Sequence, residues 1–216
     1  MFFQQSETTR NLMSEEKENI QFELTDELIE QVEQLIETKN DKELQQLLKG
    51  FHYADIAEIL DEVNLEEAMY VIKLLDSETT SDVLMELDED NREKVLKNLS
   101  AKEIAEEIEE LDTDDAADII AELPEERQQE VISQILDEEH KAEITELLAY
   151  DEDTAGGLMA KELVKVFETW TVAGCLRRIR GQAKDVRRVH SIYVVNKQNK
   201  LIGRLSLKDL IVAKSD

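Results

Sequence analysis

Through most of its length the chain repeats one short pattern of apolar and polar positions. An apolar residue falls at Phe51, Val63, Leu75, Leu87, Leu99, Leu111, Leu123, Leu136 and Leu148, every twelve residues except for one step of thirteen. The residue after each of the first eight is His52, Asn64, Asp76, Asp88, Ser100, Asp112, Pro124 and Asp137. Six of those eight are good N-cap residues, whose side-chain oxygen accepts from the free N–H groups of a first helical turn. Asn64 with Glu67, and Ser100 with Glu103, have the spacing of capping boxes. Apolar pairs such as Val83/Leu84, Val95/Leu96, Ile119/Ile120 and Val131/Ile132 follow at a fixed offset and supply an inward face. A cap every twelve residues predicts helices of two to three turns, with breaks near 63, 75, 87, 99, 111, 123 and 136. Helices this short are marginal alone, so they must stack. A helix pair repeating every 24 residues is a solenoid.

Beyond Tyr150 the pattern changes. Short β-branched runs, Leu163-Val164-Lys165-Val166-Phe167 and Ser191-Ile192-Tyr193-Val194-Val195, read as strands. The tail therefore reads strand (163–167), helix (about 171–181), strand (191–195), turn (Asn196 to Asn199), strand (200–205) and helix (about 206–214), with Ser206 as a natural N-cap. Gly156, Gly157, Gly174, Gly181 and Gly203 lie here, whereas only Gly50 lies in the helical part, and the single proline is Pro124. The adjacent pair Gly156-Gly157 permits backbone angles closed to other residues, so a tight hinge is expected there. The expected domains are a helical one at 21–150 and a hinge with a small α+β module at 151–216. Residues 1–20 are polar and aperiodic, and disorder is expected in them.

Charge divides the chain at the same place. Residues 1–150 hold 44 acidic and 12 basic side chains; residues 151–216 hold 8 and 13, and the whole carries a formal −27. Such a field repels nucleic acid and anionic membrane surfaces, and attracts cations. No apolar run approaches the roughly 20 residues of a spanning helix, and the N-terminus lacks a secretory signal, so the chain reads as soluble and cytosolic. One cysteine, Cys175, makes neither a disulfide nor a metal-ligand pattern. His52, His140 and His190 are scattered and no nucleophile–base pair is evident, so the chain does not read as an enzyme. His52 reads as a helix-start residue.

Most acidic side chains read as the solvated face of the solenoid. One cluster, Asp112-Thr113-Asp114-Asp115-Ala116-Ala117-Asp118, packs four carboxylates into a helix start. Asp112 suits the cap, and first-turn acids are favoured by the helix dipole. Asp118 lies one turn beyond Asp114 on the same face, where like charges repel. Two readings stay open: a solvated face, or oxygen ligands for a hard divalent cation.

The β-α-β-β-α order of the tail, with Gly203, Ser206 and Asp209 at three-residue spacing, resembles a CBS motif. Together with Asp153-Thr154-Ala155-Gly156-Gly157-Leu158-Met159, Ala54-Asp55-Ile56-Ala57-Glu58, Asp114-Asp115-Ala116-Ala117-Asp118 and the helical repeat, residues 24–216 resemble the cytoplasmic portion of MgtE-type magnesium channels. The resemblance implies a mainly α fold: a right-handed superhelical stack of short helices, followed by half of a CBS pair. It implies a magnesium-sensing regulatory region at the cytoplasmic face of the membrane, whose acidic residues bind Mg2+ and bias a pore that this chain lacks, as a fragment or truncated product. The matching ligand positions are Asp114 and Asp118 and, more loosely, Asp82. Lys208 and Asp209 match the family's nucleotide-binding basic and ribose-binding residues. Ser191 stands where an aromatic meets adenine, so at most weak ATP binding is implied. The implied partners are the second CBS motif, the pore and a second copy of the chain. An open face carrying Ile192, Val194 and Leu201 is expected to draw that homodimer together. The other reading is a soluble helical-repeat scaffold for a protein partner, with the half-module as its dimerisation element.

Overall fold

The computed structural model describes residues 22–151, 153–182 and 191–213. The tail expected to be disordered, residues 1–20, lies outside them. Ten short helices come first: α1 (Asp26–Glu37), α2 (Asp41–Leu48), α3 (Tyr53–Glu62), α4 (Leu65–Ile72), α5 (Ser77–Glu86), α6 (Glu89–Asn98), α7 (Ala101–Ile108), α8 (Thr113–Ala121), α9 (Glu125–Gln134) and α10 (Glu138–Leu147). Every break expected from the capping pattern is present. Asn64 accepts from the N–H groups of Glu66 and Glu67 at 3.0 and 3.1 Å, and Ser100 Oγ accepts from Glu103 N–H at 3.2 Å. Both glutamates return the bond, completing capping boxes. His52 is a helix-start residue as expected: its Nδ1 accepts from Ala54 N–H at 3.3 Å. Asp88 and Pro124 stand at N-cap positions but make no side-chain cap bond.

Packing alternates. α3 lies on α5, α5 on α7 and α7 on α9; α4 lies on α6, and α8 on α10. From α3 onward these contacts join helices two places apart, which is the 24-residue repeat realised in space, whereas α1 lies on α2 and α4. The apolar pairs face these contacts: Val83, Leu84, Val95, Leu96, Ile119, Ile120 and Val131 are all buried, and Ile132 is half-buried. Burying such a side chain stabilises by about 1.5–3 kcal/mol, which turns marginal helices into a stack. One marker residue is corrected. Leu136 is 82% exposed, whereas its neighbour Ile135 is 2% exposed and C-caps α9. Ile135 and the buried Leu147 continue the twelve-residue step from Leu123, so the apparent step of thirteen disappears.

Among the described residues the chain divides into two compact units. One runs to Leu111 and includes Glu122–Ile135; the other holds Asp112–Ala121 and everything from Leu136 onward. The second unit contains a three-stranded sheet, β1 (Val164–Phe167), β2 (Ile192–Val195) and β3 (Leu201–Leu205), with α11 (Val172–Gln182) between β1 and β2 and α12 (Leu207–Val212) last. The order is β1-β2-β3; β1 pairs parallel with β2, and β2 antiparallel with β3. The connecting turn is held by Asn196 Oδ1, which accepts from the N–H groups of Gln198 and Lys200 at 3.0 Å each, and by Asn199 at φ 58°. Val164, Val166, Cys175, Ile192 and Leu210 form the core of this module. Ile192, expected on an open face, is fully buried there; Leu201 is 59% exposed as expected, and Val194 is half-buried. Burial pushes the Cys175 thiol above its ordinary range, consistent with an inert core residue.

Candidate functional site

The aspartate cluster occupies the start of α8. Thr113, the first residue of that helix, is fully buried. Its N–H donates to Glu162 Oε1 at 3.0 Å and its hydroxyl to Glu162 Oε2 at 2.9 Å. Lys161 N–H donates to the Thr113 hydroxyl oxygen at 3.0 Å. A carboxylate 49 residues away in sequence thus holds a free donor of the helix terminus, where negative charge is also favoured by the dipole. The Lys161 ammonium in turn donates to Glu146 Oε1 of α10 at 2.6 Å. Burial, and after it the nearby charge of Glu162, raises the Glu143 carboxyl above its ordinary range. Nothing local marked Thr113, Lys161 or Glu162 in the sequence, because the signal is the contact itself.

With its N-terminus pinned, α8 presents Asp114 half-buried and Asp118 exposed, one turn apart. The Asp114 side chain makes no hydrogen bond or ion pair among the described residues. Asp118 borders a cavity of about 610 Å³ that Asp151, Asp153, Thr154 and Gly157 also line. The turn carrying them is tight. Thr154 Oγ1 donates to Asp151 O at 2.7 Å, Gly157 N–H donates to Thr154 Oγ1 at 3.3 Å, and Leu158 N–H to Thr154 O at 3.1 Å. Neither glycine of the pair has a positive φ. Gly156 is required for space instead, because an added Cβ would lie 2.4 Å from Tyr150 Cδ1 and 2.6 Å from Cγ. The hinge expectation is corrected in its cause: a tyrosine ring, not an unusual backbone angle, selects glycine.

The other expected residues lie elsewhere. Asp82 is half-buried on α5 in the first unit, beside a cavity of about 660 Å³ lined also by His52, Tyr53, Ile56, Asp76 and Glu78. Lys208 is exposed on α12. Asp209 completes the capping box of that helix, its Oδ2 accepting from Ser206 N–H at 3.2 Å and Ser206 Oγ at 2.7 Å. The Ser206 hydroxyl, with its N–H, holds the Asp209 carboxyl below the usual carboxylate range. Among the described residues no group of three or more His, Cys, Asp or Glu side chains gathers closely enough to enclose a metal ion. The chemistry available at Asp114 and Asp118 is that of hard oxygen donors with room for water. Magnesium fits this, since it is held through one or two carboxylates and keeps several waters.

Residues 51–153 match the model of the MgtE intracellular N domain, and residues 155–216 match that of the CBS domain, together about three quarters of the sequence. The chain belongs to the MgtE family. It is 51% identical over 67 residues to the magnesium transporter MgtE of Thermus thermophilus, a match covering 31% of this chain and 15% of that protein. It is 38% identical over 71 residues to magnesium transporter MgtE of Enterococcus faecalis, covering 33% and 16%. These matches thus span about one sixth of each relative's length. Among solved structures it resembles the cytosolic domain of the Mg2+ channel MgtE in complex with ATP, with a TM-score of 0.78 and 34% identity over 87% of this chain and 76% of that one. It also resembles the soluble part of a magnesium transporter, with a TM-score of 0.75 and 26% identity over 88% and 75%. The chain is therefore homologous to the cytosolic N domain and CBS region of an MgtE magnesium transporter, a family of transporters and not an enzyme class. Among the described residues no helix is long and apolar enough to cross a membrane.

Proposed function

We propose that this chain is the magnesium-sensing regulatory region of an MgtE-type transporter, with a helical domain at 21–150 and a hinge and CBS motif at 151–216. Asp114 and Asp118 on α8 hold hydrated Mg2+, Asp82 on α5 is a further ligand position in its own unit, and occupancy biases the gate of a membrane pore. The observation that carries this reading is the pinned terminus of α8, which presents Asp114 without a protein partner and Asp118 at a cavity shared with Asp151 and Asp153. Two carboxylates one turn apart repel each other, and a divalent cation relieves that repulsion. Sensing further requires that Mg2+ favour one arrangement of the transporter over another, because equal affinity for both shifts nothing.

The partners in this reading are Mg2+, a second CBS motif, the pore and a second copy of the chain. Leu201, Ile202, Ile211 and Val212 are 50% to 69% exposed, and such a patch suits a CBS partner. ATP binding through Lys208 and Asp209 is weak in this reading, because Asp209 already serves Ser206 and residue 191 is a serine rather than an aromatic.

Calorimetric titration with Mg2+ tests the site. Asp118→Asn is expected to weaken binding far more than Glu109→Gln, which removes the same charge from a helix end elsewhere. Equal losses would mean a diffuse field and no discrete site. Small-angle scattering during the same titration separates sensor from scaffold. A sensor contracts at millimolar Mg2+ but not at equal ionic strength of sodium, whereas a scaffold responds only to screening.

A further inference from the structure

Glu107 sits on α7 among inward-facing residues. Ile104, Ala105 and Ile108 beside it are 0% to 1% exposed. The glutamate itself is half-buried, and its Oε2 is closed off from solvent without a hydrogen-bond partner. A buried, unpaired carboxylate oxygen is costly while it is charged.

The charges around it do not relieve that cost. From α5, which packs on α7, the Ser77 hydroxyl favours the charged form, but Asp76, the N-cap of α5, opposes it. Glu106 and Glu110, next to Glu107 on its own segment, oppose it too. The cations in the area are committed elsewhere. Lys102 pairs with Glu106 at 2.9 Å, and Lys73, after α4, acts with Lys102 on Glu103. From α9, which also packs on α7, Arg127 pairs with Glu130 at 3.0 Å and donates to the Leu99 carbonyl. Burial, opposed by Ser77 and reinforced by the three carboxylates, pushes the Glu107 carboxyl up to about 7. A bound metal is a poorer answer than a proton, because no metal-holding group of three or more such side chains exists among the described residues.

We propose that Glu107 is a proton-binding residue of the helical stack: packing α5 against α7 takes up a proton at this carboxyl, so the stack tightens as the solution is acidified from mildly alkaline conditions. A protonated carboxyl carries no charge to desolvate, and it removes one of four negative charges gathered there. The sign follows from linkage. The folded-state carboxyl holds its proton more tightly than the unfolded one, whose ordinary value is 4.5. The folded state is therefore penalised above about pH 7, and the penalty lifts as pH falls through 7 toward 4.5.

The test is chemical denaturation of the 216-residue chain and of its Glu107→Gln variant at pH 8 and pH 6. All other carboxylates are common to both chains, so their titration cancels in the comparison. Between those pH values the folding equilibrium constant should rise about tenfold more in the parent chain than in the variant. Carboxyl NMR of Glu107 in the parent chain should show a midpoint near 7, and this measurement stands even if the variant folds poorly. Equal pH responses of the two chains, or a midpoint near 4.5, would overturn the proposal. So would stabilisation at pH 8 by millimolar Mg2+ that Glu107→Gln abolishes, since the carboxyl would then be taking a cation and not a proton.

Discussion

The clamp between Glu162 and Thr113 is the contact on which the geometry of α8 depends, and Glu162→Ala removes it. In the parent chain one carboxylate accepts from both the N–H and the hydroxyl of a fully buried threonine, at 3.0 and 2.9 Å. A hydrogen bond to a charged group contributes about 1.5–3 kcal/mol, and a buried donor left unpaired costs about 1–3 kcal/mol. The threonine hydroxyl cannot simply turn to the Lys161 backbone, because that N–H is itself a donor to it. The two losses share one acceptor and are not independent, so the expected total is about 2–4 kcal/mol. For a chain of this size each kcal/mol moves Tm by about 2–4 °C, so the shift is on the order of 10 °C. Glu162→Gln keeps one carbonyl oxygen and should lose about half as much. Glu168→Ala, which removes an exposed carboxylate from the same unit, should stay within about 0.5 kcal/mol. Urea denaturation monitored by circular dichroism measures all three, and Mg2+ calorimetry adds a second readout. If α8 is held in this way, Glu162→Ala also weakens Mg2+ binding, although Glu162 is not among the proposed ligands. A Glu162→Ala chain as stable as the parent would refute the assignment of the clamp.

Gly156→Ala should destabilise the turn by about 1–3 kcal/mol, because its Cβ would meet the Tyr150 ring at 2.4 Å. Adding Tyr150→Ala should recover most of that loss, since Gly156 has no positive φ, and thermal melts of the single and double variants decide it. Arg92 joins Glu122 through contacts of 2.6 to 3.0 Å and donates to the carbonyls of Leu87 and Met85. Arg92→Lys should therefore lose nearly as much stability as Arg92→Ala, about 1–3 kcal/mol, because a lysine cannot reproduce the planar fork. Ser100→Ala should cost about 1 kcal/mol in denaturant titrations, whereas Asp88→Ala, which removes no cap bond, should cost less than about 0.5. The Ser100 hydroxyl and N–H hold the Glu103 carboxyl below its ordinary range. This cap is thus complete above the ordinary carboxylate range and lost as pH falls through the lowered value, so the effect of Ser100→Ala should shrink in acid.

The seven breaks between α3 and α10 were legible in the sequence, whereas the break between α1 and α2 was not. Caps, capping boxes and apolar pairs act within about four residues, so the chain alone specifies them. The small sheet was legible for the same reason: β1 and β2 are short β-branched runs, and the Asn196 to Asn199 turn that leads into β3 closes on itself. Asp114 and Asp118 could be placed on one helix face from their spacing alone. What could not be read is whatever depends on a partner far along the chain. Leu136 and Ile135 are adjacent and both apolar at a helix end, and only the packed neighbours decide that Ile135 is buried. Ile192 reads like any other strand residue until the helices of its module close over it. Gly156 reads as a residue freed for unusual angles, but the ring of Tyr150 is what excludes a side chain there. Glu107 has the composition of a solvated face, and only the packing of α5 against α7 shuts its oxygen away from water. Thr113 and Glu162 are 49 residues apart, and neither carries a local mark of the other. Local hydrogen bonding sets where each helix starts, whereas burial and long-range pairing decide which polar groups are left to do chemistry.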